Sequence, residues 1–159
     1  MRRLVLGAAL LAAQALAQER PSSVSTQLSV SGEVERALVL SVEDLGRIAA
    51  RRGRAEGGGY AGPRLVDLLE EADIRRDQPR ALRRTYVVAR ATDGYQAVFS
   101  WGELFNSPVG PKVLIAIERD GEPLRDGEGR IALVSLADDK IGARHVKWLS
   151  RIEVRRVPE

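Results

Sequence analysis

The chain has 159 residues, of which 44% are hydrophobic and 30% charged, and it contains no cysteine and a single histidine, His145. This size and composition fit one globular domain, and they exclude disulfides, thiolate metal sites, iron–sulfur clusters and cysteine nucleophiles. One imidazole gives little support to a zinc site, a non-haem iron site or a serine-type triad, so catalysis by the protein's own side chains is poorly supported.

Residues 1–17 have the pattern of a secretory signal peptide. Arg2 and Arg3 form a basic start, an apolar stretch follows, and Ala15-Leu16-Ala17 is a small-x-small cleavage site. A membrane anchor is disfavoured because the apolar run is shorter than the roughly 20 residues that span a bilayer. Cleavage would lower the net charge from +3 to +1, well below the basic excess of a nucleic-acid-binding protein. We therefore predict a soluble periplasmic or secreted protein with no membrane span after processing and no nucleic-acid partner.

The segments that follow predict a lead-in, two strands and a helix. Residues 18–26 are polar and contain a proline, which suggests a flexible lead-in, and the domain is predicted to span residues 27–159. Residues that favour strands lie on either side of Gly32 and indicate one or two strands interrupted by a turn. The sequence Ser41-Val42-Glu43-Asp44 has the form of a capping box, which predicts a helix that continues through Ala50.

The middle of the chain combines a glycine-rich segment, a helix and a hairpin. Residues 57–62 lack the pattern of a nucleotide-binding loop and are interpreted as a flexible turn before Pro63. Apolar residues at helical spacing predict a helix over residues 65–72. Residues 85–99 predict two strands joined by a turn at Asp93-Gly94.

Further short elements follow in the C-terminal half. Ser100 and Glu103 are predicted to cap a short helix. Residues 113–117 form an apolar run typical of a buried strand, Asp120-Gly121 marks a tight turn, and residues 131–136 predict another strand. Strands outnumber helices and are joined mostly by hairpin turns, so the predicted fold class is α+β rather than a βαβ repeat.

Residues 142–149 carry the most informative pattern. On a strand, Val146 and Trp148 would face the core, whereas His145 and Lys147 would share the opposite face. An imidazole beside a cation, after an exposed glycine turn, suits the binding of a phosphate or another anion. The alternative is the solvated outer face of an edge strand, and spacing alone leaves both interpretations open.

Three other features admit a functional interpretation but favour a structural one. The arginine runs Arg51-Arg52-Gly53-Arg54 and Arg75-Arg76 could bind anions, yet basic residues also stabilise the C-terminal ends of helices. Trp101 lies in the capped turn and is interpreted as a packing residue rather than as a platform for a ligand.

Four motifs resemble the sulfite-oxidase-type molybdopterin-binding domain, and they occur in that family's order. They are GARHVKWL at residues 142–149, the G-x-x-L-x-D-L-L pattern at residues 62–69, D-G-Y at residues 93–95, and an apolar strand with its turn at residues 115–124. The matches run from about Val30 to Val154. The resemblance implies a sulfite-oxidase-like fold that holds the pyranopterin of a molybdenum cofactor, with mixed, mainly antiparallel sheets and a few short helices.

The resemblance also implies roles for particular residues. His145, Val146 and Lys147 match positions of the cofactor pocket near its phosphate end, and Arg144 would add positive charge. These four residues are the predicted cofactor-binding set, and no catalytic or metal-ligating residue is assigned.

The sequence also departs from the family pattern. Family enzymes ligate molybdenum through a cysteine thiolate, and this chain has no cysteine. An H-G-x-P-x-R segment is replaced by Gly127-Glu128-Gly129-Arg130-Ile131-Ala132, so Gly127 and Ala132 stand where the family has histidine and arginine. Much of the cofactor pocket is therefore expected to be missing, even where the scaffold is kept.

These observations lead to one expectation and two alternatives. We expect an exported domain of this fold that acts as a binding or accessory protein without its own redox catalysis, its ligand being a pterin cofactor or a small anion. One alternative is a molybdenum-cofactor-dependent oxidoreductase without the usual cysteine ligand, so whether the chain is an enzyme stays open, as does whether it keeps the cofactor. The other is a purely structural partner of an exported protein. Because the sequence has no haem or iron–sulfur motif, any electrons would pass to a separate periplasmic redox partner.

Overall fold

The computed structural model describes residues 24–140 and 142–159, so the predicted signal peptide at residues 1–17 lies outside the described residues. Only residues 24–26 of the predicted lead-in are described, and they form no regular secondary structure. Ser25 is nevertheless buried, and its hydroxyl donates a hydrogen bond to the Gly129 carbonyl oxygen at 2.7 Å. Across the described ranges, no helix is long and apolar enough to cross a membrane.

The described residues form eleven strands, three α-helices and two short 3-10 helices. The strands are β1 (Gln27–Gly32), β2 (Leu38–Ser41), β3 (Ala55–Gly57), β4 (Tyr60–Gly62), β5 (Thr85–Ala91), β6 (Gln96–Ser100), β7 (Val113–Ala116), β8 (Glu118–Arg119), β9 (Glu122–Pro123), β10 (Ala132–Ser135) and β11 (Leu149–Arg156). The α-helices are α1 (Val42–Arg52), α2 (Leu65–Ala72) and α3 (Trp101–Phe105), and the 3-10 helices are Ala81–Arg84 and Gly110–Lys112.

The largest sheet brings together strands that are far apart in the sequence. Its order is β2-β1-β11-β5-β6. β1 pairs with β11 in parallel, and the other neighbours are antiparallel. Leu28 and Val30 of β1 and Ile152 and Val154 of β11 are buried at alternate positions, so one face of the sheet covers the main core.

Two smaller sheets complete the fold. β7 and β10 form an antiparallel pair in which all residues are buried, and β3, β4, β8 and β9 form a four-stranded sheet. Tyr60, Leu114 and Leu124 belong to a second apolar cluster between these sheets. The mixed, mostly antiparallel sheets with three short helices confirm the predicted α+β class.

Two predicted helix starts are confirmed in atomic detail. The Ser41 hydroxyl accepts a hydrogen bond from the Asp44 backbone N–H at 3.2 Å, and the Asp44 carboxylate accepts one from the Ser41 N–H at 3.0 Å. At the start of α3, the Ser100 hydroxyl accepts from the Glu103 N–H at 3.0 Å. Both helices therefore begin where a side chain satisfies an otherwise unpaired backbone donor.

The glycine-rich segment is an ordered hairpin, which corrects its interpretation as a flexible turn. β3 and β4 pair through it, and Gly58 and Gly59 form its turn with φ values of 58° and 83°. Gly62 lies so close to β7 that a Cβ there would be 2.0 Å from the Ile115 carbonyl oxygen. These glycines permit a tight turn and a close backbone approach, and both hold the segment in place.

The strand predicted through residues 145–148 is wrong in its extent, because β11 begins only at Leu149. Val146 is fully buried, as predicted, and forms an isolated bridge with Leu133. Trp148 does not enter the core: its φ of 50° turns the chain, and its indole N–H donates to the Asp126 carbonyl oxygen at 2.8 Å. The pairing register of β11 with β5 shifts between Leu149 and Arg151, which marks a bulge at the start of the strand.

Candidate functional site

A cleft of about 320 Å³ brings two of the sequence motifs together. Its walls are Asp93, Tyr95, Gly142, His145, Lys147 and Trp148. The Tyr95 hydroxyl donates a hydrogen bond to the Ala143 carbonyl oxygen at 2.7 Å, and the Tyr95 backbone N–H donates to the Asp93 carboxylate at 2.9 Å. The turn after β5 is thereby tied to the loop before β11, which fixes the relative position of the two motifs.

Lys147 supplies the cation of this cleft. Its side chain is exposed, and the described residues place no carboxylate within ion-pair distance of its ammonium group. Gly142, on the same wall, is exposed and has open space around it. An unpaired ammonium beside an open glycine turn leaves room for a negatively charged group to approach.

His145 is half-buried and lies edge-on to Tyr60, with ring centres 5.5 Å apart. Its Nε2 atom is buried and has no hydrogen-bond partner among the described residues. Burial lowers the pKa of His145 below its ordinary value; Glu128 opposes this shift, whereas Lys147 adds to it. The imidazole is therefore neutral at pH 7, so it offers the cleft a directional hydrogen-bonding group rather than a second full charge.

A network around Glu128 lies next to His145. Arg119 pairs with the Glu128 carboxylate, and its guanidinium carbon is 5.1 Å from the centre of the Tyr60 ring. Burial raises the pKa of Glu128, but hydrogen bonds from Arg119 and Tyr60 outweigh burial and hold it below its ordinary value. Burial also raises the pKa of Tyr60, and the Glu128 carboxylate adds to that shift. Glu128 is therefore an ionised carboxylate with a buried, unpartnered Oε2 close to His145.

Sequence reasoning missed this network, because it treated Glu128 only as part of a replaced family segment and Tyr60 only as part of a glycine cluster. Tyr60 lies on β4, Glu128 on the loop before β10, and His145 on the loop before β11. No local pattern links three positions so far apart in the chain, and only the tertiary fold brings them together.

Arg144 faces carboxylates outside the cleft lining. It pairs with Asp138 and Glu103, and its guanidinium carbon is 4.6 Å from the centre of the Phe99 ring. Its hydrogen bonds to Asp138 raise the pKa of Arg144 and hold the pKa of Asp138 below its ordinary value. Two carboxylates thus compensate the positive charge that the sequence analysis predicted for the cleft. Through its contact with Glu103, Arg144 also joins the loop before β11 to α3.

The four predicted cofactor-binding residues therefore occupy different environments. His145 and Lys147 line the cleft together, Val146 is buried behind it, and Arg144 is held by ion pairs. Their assignment to cofactor binding stays a prediction.

The donor atoms present fit one end of a molybdopterin cofactor. The unpaired Lys147 ammonium and the neutral His145 ring suit its phosphate. The chain has no cysteine to provide a thiolate, and the described residues contain no group of three or more His, Cys, Asp or Glu side chains placed to hold a metal ion. The side chains thus fit an anionic group and offer no set of ligands to molybdenum.

Comparison with known proteins now defines the class of this domain. Residues 48–159 match the family model described as the oxidoreductase molybdopterin binding domain. Because this match covers more than half of the chain, the protein belongs to that family, which confirms the resemblance drawn from the four motifs.

Particular relatives agree with this class. The chain is 28% identical over 137 residues to mitochondrial sulfite oxidase of Rattus norvegicus. The aligned region covers 82% of this chain but 24% of that protein. The solved structure of the sulfane dehydrogenase SoxCD from Paracoccus pantotrophus superposes with a TM-score of 0.58 at 23% identity, covering 80% of this chain and 37% of that one. The chain thus spans about a quarter of the curated relative and has the fold of a sulfite-oxidase-like domain.

Proposed function

We propose that this protein is an exported binding or accessory domain that holds the phosphate end of a molybdopterin-type cofactor, or a similar small anion, without redox catalysis of its own. The observation that carries the proposal is the cleft in which the unpaired Lys147 ammonium group and the neutral His145 imidazole both form part of the wall. The chain has no cysteine that could provide a thiolate ligand. The exported location rests on the signal-peptide pattern of residues 1–17.

The cleft supports binding through charge and preformed shape. Lys147 provides the long-range attraction for an anion, and His145 provides a directional contact. The hydrogen bond from Tyr95 to Ala143 fixes the opposite wall before any ligand arrives, so little ordering is required on binding. Asp93 places a carboxylate in the same cleft, which favours an anion seated at the Lys147 side.

The absence of redox catalysis is argued from the ligand set. When bound, a molybdenum cofactor supplies electron-transfer chemistry at its metal, which the protein tunes through its ligands. This chain offers that metal no thiolate.

Family membership favours one alternative function. The relatives are named as an oxidase and a dehydrogenase, so the second candidate is a molybdenum-cofactor-dependent oxidoreductase without a cysteine ligand. In that case the described chain would pass electrons to a separate redox partner. The two candidates differ in one measurable property, which is turnover with an artificial electron acceptor.

The test begins with the content of the protein as it is made. The chain is purified from the exported fraction of a host that synthesises the cofactor, and molybdenum and released pterin are measured per mole of protein. We expect near-stoichiometric pterin and no reduction of a dye acceptor. Dye reduction with sulfite or another reduced sulfur compound would replace the proposal with the oxidoreductase alternative.

Lys147→Ala tests the site itself, with Lys112→Ala as its matched control because Lys112 is also exposed and does not line the cleft. We expect Lys147→Ala to raise the Kd for the pterin at least tenfold, as roughly 1.4 kcal/mol of lost contact would do, and so to lower the pterin content of the purified protein. Its free energy of unfolding should stay within about 0.5 kcal/mol of the parent, because the side chain is exposed. Equal pterin content in both variants would refute the cleft as the site.

A preparation without pterin is titrated with inorganic phosphate, followed by tryptophan fluorescence, since Trp148 lines the cleft. A saturable change that Lys147→Ala abolishes would support the anion-binding form of the proposal. No change at any phosphate concentration would overturn the proposal.

A further inference from the structure

A different surface of the molecule carries positive charge that the fold does not neutralise. Most arginines of the described chain lie within ion-pair distance of a carboxylate, whereas Arg76, Arg80, Arg83 and Arg125 do not. Three of these four fall within the segment 75–84, which connects α2 to β5, and all three are exposed. We refer to Arg76, Arg80 and Arg83 as the arginine surface.

The backbone that carries these three side chains is held firmly at several points. The Arg156 side chain is only 9% exposed, and it donates to the Asp77 carboxylate at 3.2 Å and to the Arg75 carbonyl oxygen at 3.1 Å. Arg84 donates to the Val157 carbonyl oxygen at 3.2 Å and to the Gln78 side chain at 3.1 Å. The arginine surface is therefore presented on an ordered segment, which reduces the entropy lost when a partner binds.

Clefts lined by both apolar and charged side chains lie on both sides of the segment. The larger, of about 750 Å³, has three arginines, Pro79, Val157 and Pro158 in its lining, together with Gln78 and the carboxylates of Glu33 and Glu159. The smaller, of about 100 Å³, has Arg76 beside the stacked rings of Trp101 and Phe105, whose centres are 5.5 Å apart, and also the carboxylates of Glu70 and Asp73. Exposed arginines next to aromatic and apolar side chains are typical of the energetically important centres of protein interfaces.

The larger cleft already contains one ion pair with a carboxylate. The Glu159 side chain, 85% exposed, places its carboxylate 3.0 Å from Arg84. Because this carboxylate is exposed, a carboxylate from outside the chain can take its place on Arg84.

We propose that the arginine surface and its flanking clefts form a docking site for a carboxylate-rich segment of a partner protein. Arg76 and Arg80 line two different clefts, and Arg83 adds a third unpaired cation on the same segment, so the three suit several carboxylates spaced along a chain rather than one phosphate. The apolar residues in the two clefts can contact the side chains of a peptide. This site is separate from the Lys147 cleft and does not depend on the function proposed for it.

The experiment measures binding of a fluorescein-labelled oligoglutamate peptide to the intact protein by fluorescence anisotropy, with an oligoglutamine peptide as the uncharged control. The test variant is R76E/R80E/R83E. The matched control is K112E/R125E/K140E, which reverses the charge of three exposed cations elsewhere and so changes the net charge by the same amount. We expect the test variant to weaken oligoglutamate binding at least about tenfold and the control variant less than about twofold.

Hydrogen exchange of the peptide complex locates the contact independently of any variant. We expect protection of residues 75–84 and 155–157. Protection confined to other segments would overturn the proposal, as would equal weakening by the two triple variants, since that would reflect net charge alone. Complete competition by inorganic phosphate would make this a small-anion site instead. Binding of anionic phospholipid vesicles, without binding of oligoglutamate, would make it a membrane surface.

Discussion

Two arginine-rich regions that look alike in the sequence differ completely in the folded chain. At the end of α1, Arg51 and Arg52 pair with Glu71 at 2.6 and 2.9 Å, and Arg54 forms a two-point contact with Glu118 at 2.8 and 2.6 Å. In residues 75–84, Arg76, Arg80 and Arg83 have no such partners among the described residues. The first region ties α1 to α2 and β8, and the second faces solvent.

The difference shows that the function of a cationic residue depends on the carboxylates that the fold brings to it. The basic last turn of α1 meets the acidic last turn of α2, so the ion pairs place cations where they complement the α1 dipole and compensate Glu70 and Glu71 at the C-terminal end of α2, where negative charge is unfavourable. Residues 75–84 contain one acidic residue, Asp77, and that residue is paired with Arg156. Paired arginines should therefore affect stability, and unpaired ones should affect only association.

The largest effect is expected at the most thoroughly paired arginine, Arg144. Replacing it in Arg144→Met leaves Asp138 and Glu103 without their cation, and both carboxylates are largely shielded from water, at 15% and 29% exposure. We expect the free energy of unfolding to fall by about 2–3 kcal/mol, measured by urea denaturation. Arg83→Met is the comparison variant from the unpaired region and should change it by less than about 0.5 kcal/mol. Similar losses in both would contradict the distinction.

Unfolding measured over a series of pH values tests whether the charge of Arg144 is the reason for its effect on stability. Arg144 holds the pKa of Asp138 below its ordinary value, so the pair stabilises the folded chain at pH values above the unfolded pKa of about 4. This contribution is lost as the pH falls through the lower folded pKa. The stability difference between the parent and Arg144→Met should thus be complete at pH 7 and shrink in strongly acidic solution. A difference that stays constant with pH would indicate that packing against Phe99, rather than charge, is what Arg144 provides.

A smaller effect is expected for Arg52, whose side chain is 31% exposed and contacts Glu70 and Glu71. Arg52→Ala should lower the free energy of unfolding by about 1 kcal/mol at most. A double-mutant cycle with Glu71→Ala isolates the pair and should give a coupling of about 0.5 kcal/mol that weakens with added salt. Strictly additive losses would show that the ion pair contributes nothing.

Local sequence signals predicted most elements of this fold. The capping box at Ser41, the helical spacing of residues 65–72 and the turn at Asp93-Gly94 each depend on neighbours within one or two turns of chain, and all three elements are present. The parallel pairing of β1 with β11 was not predicted, because it joins segments more than a hundred residues apart and no local pattern encodes it.

The candidate site was also predicted only in part from the sequence. Alternation along residues 145–148 suggested that His145 and Lys147 lie together, and they do share a cleft. The reason was wrong, however, since the left-handed backbone of Trp148 makes this stretch a loop. The partners of Arg144 and the network of Tyr60, Arg119 and Glu128 could not be foreseen, because long-range packing alone decides which charges meet.

The position of β11 in the middle of the large sheet has a consequence for how this protein folds. β11 lies between β1 and β5, so until it emerges both of those strands expose an unpaired edge. The sheet therefore cannot close during synthesis of the first hundred or more residues. Its many contacts between distant segments predict slow folding for a chain of this size.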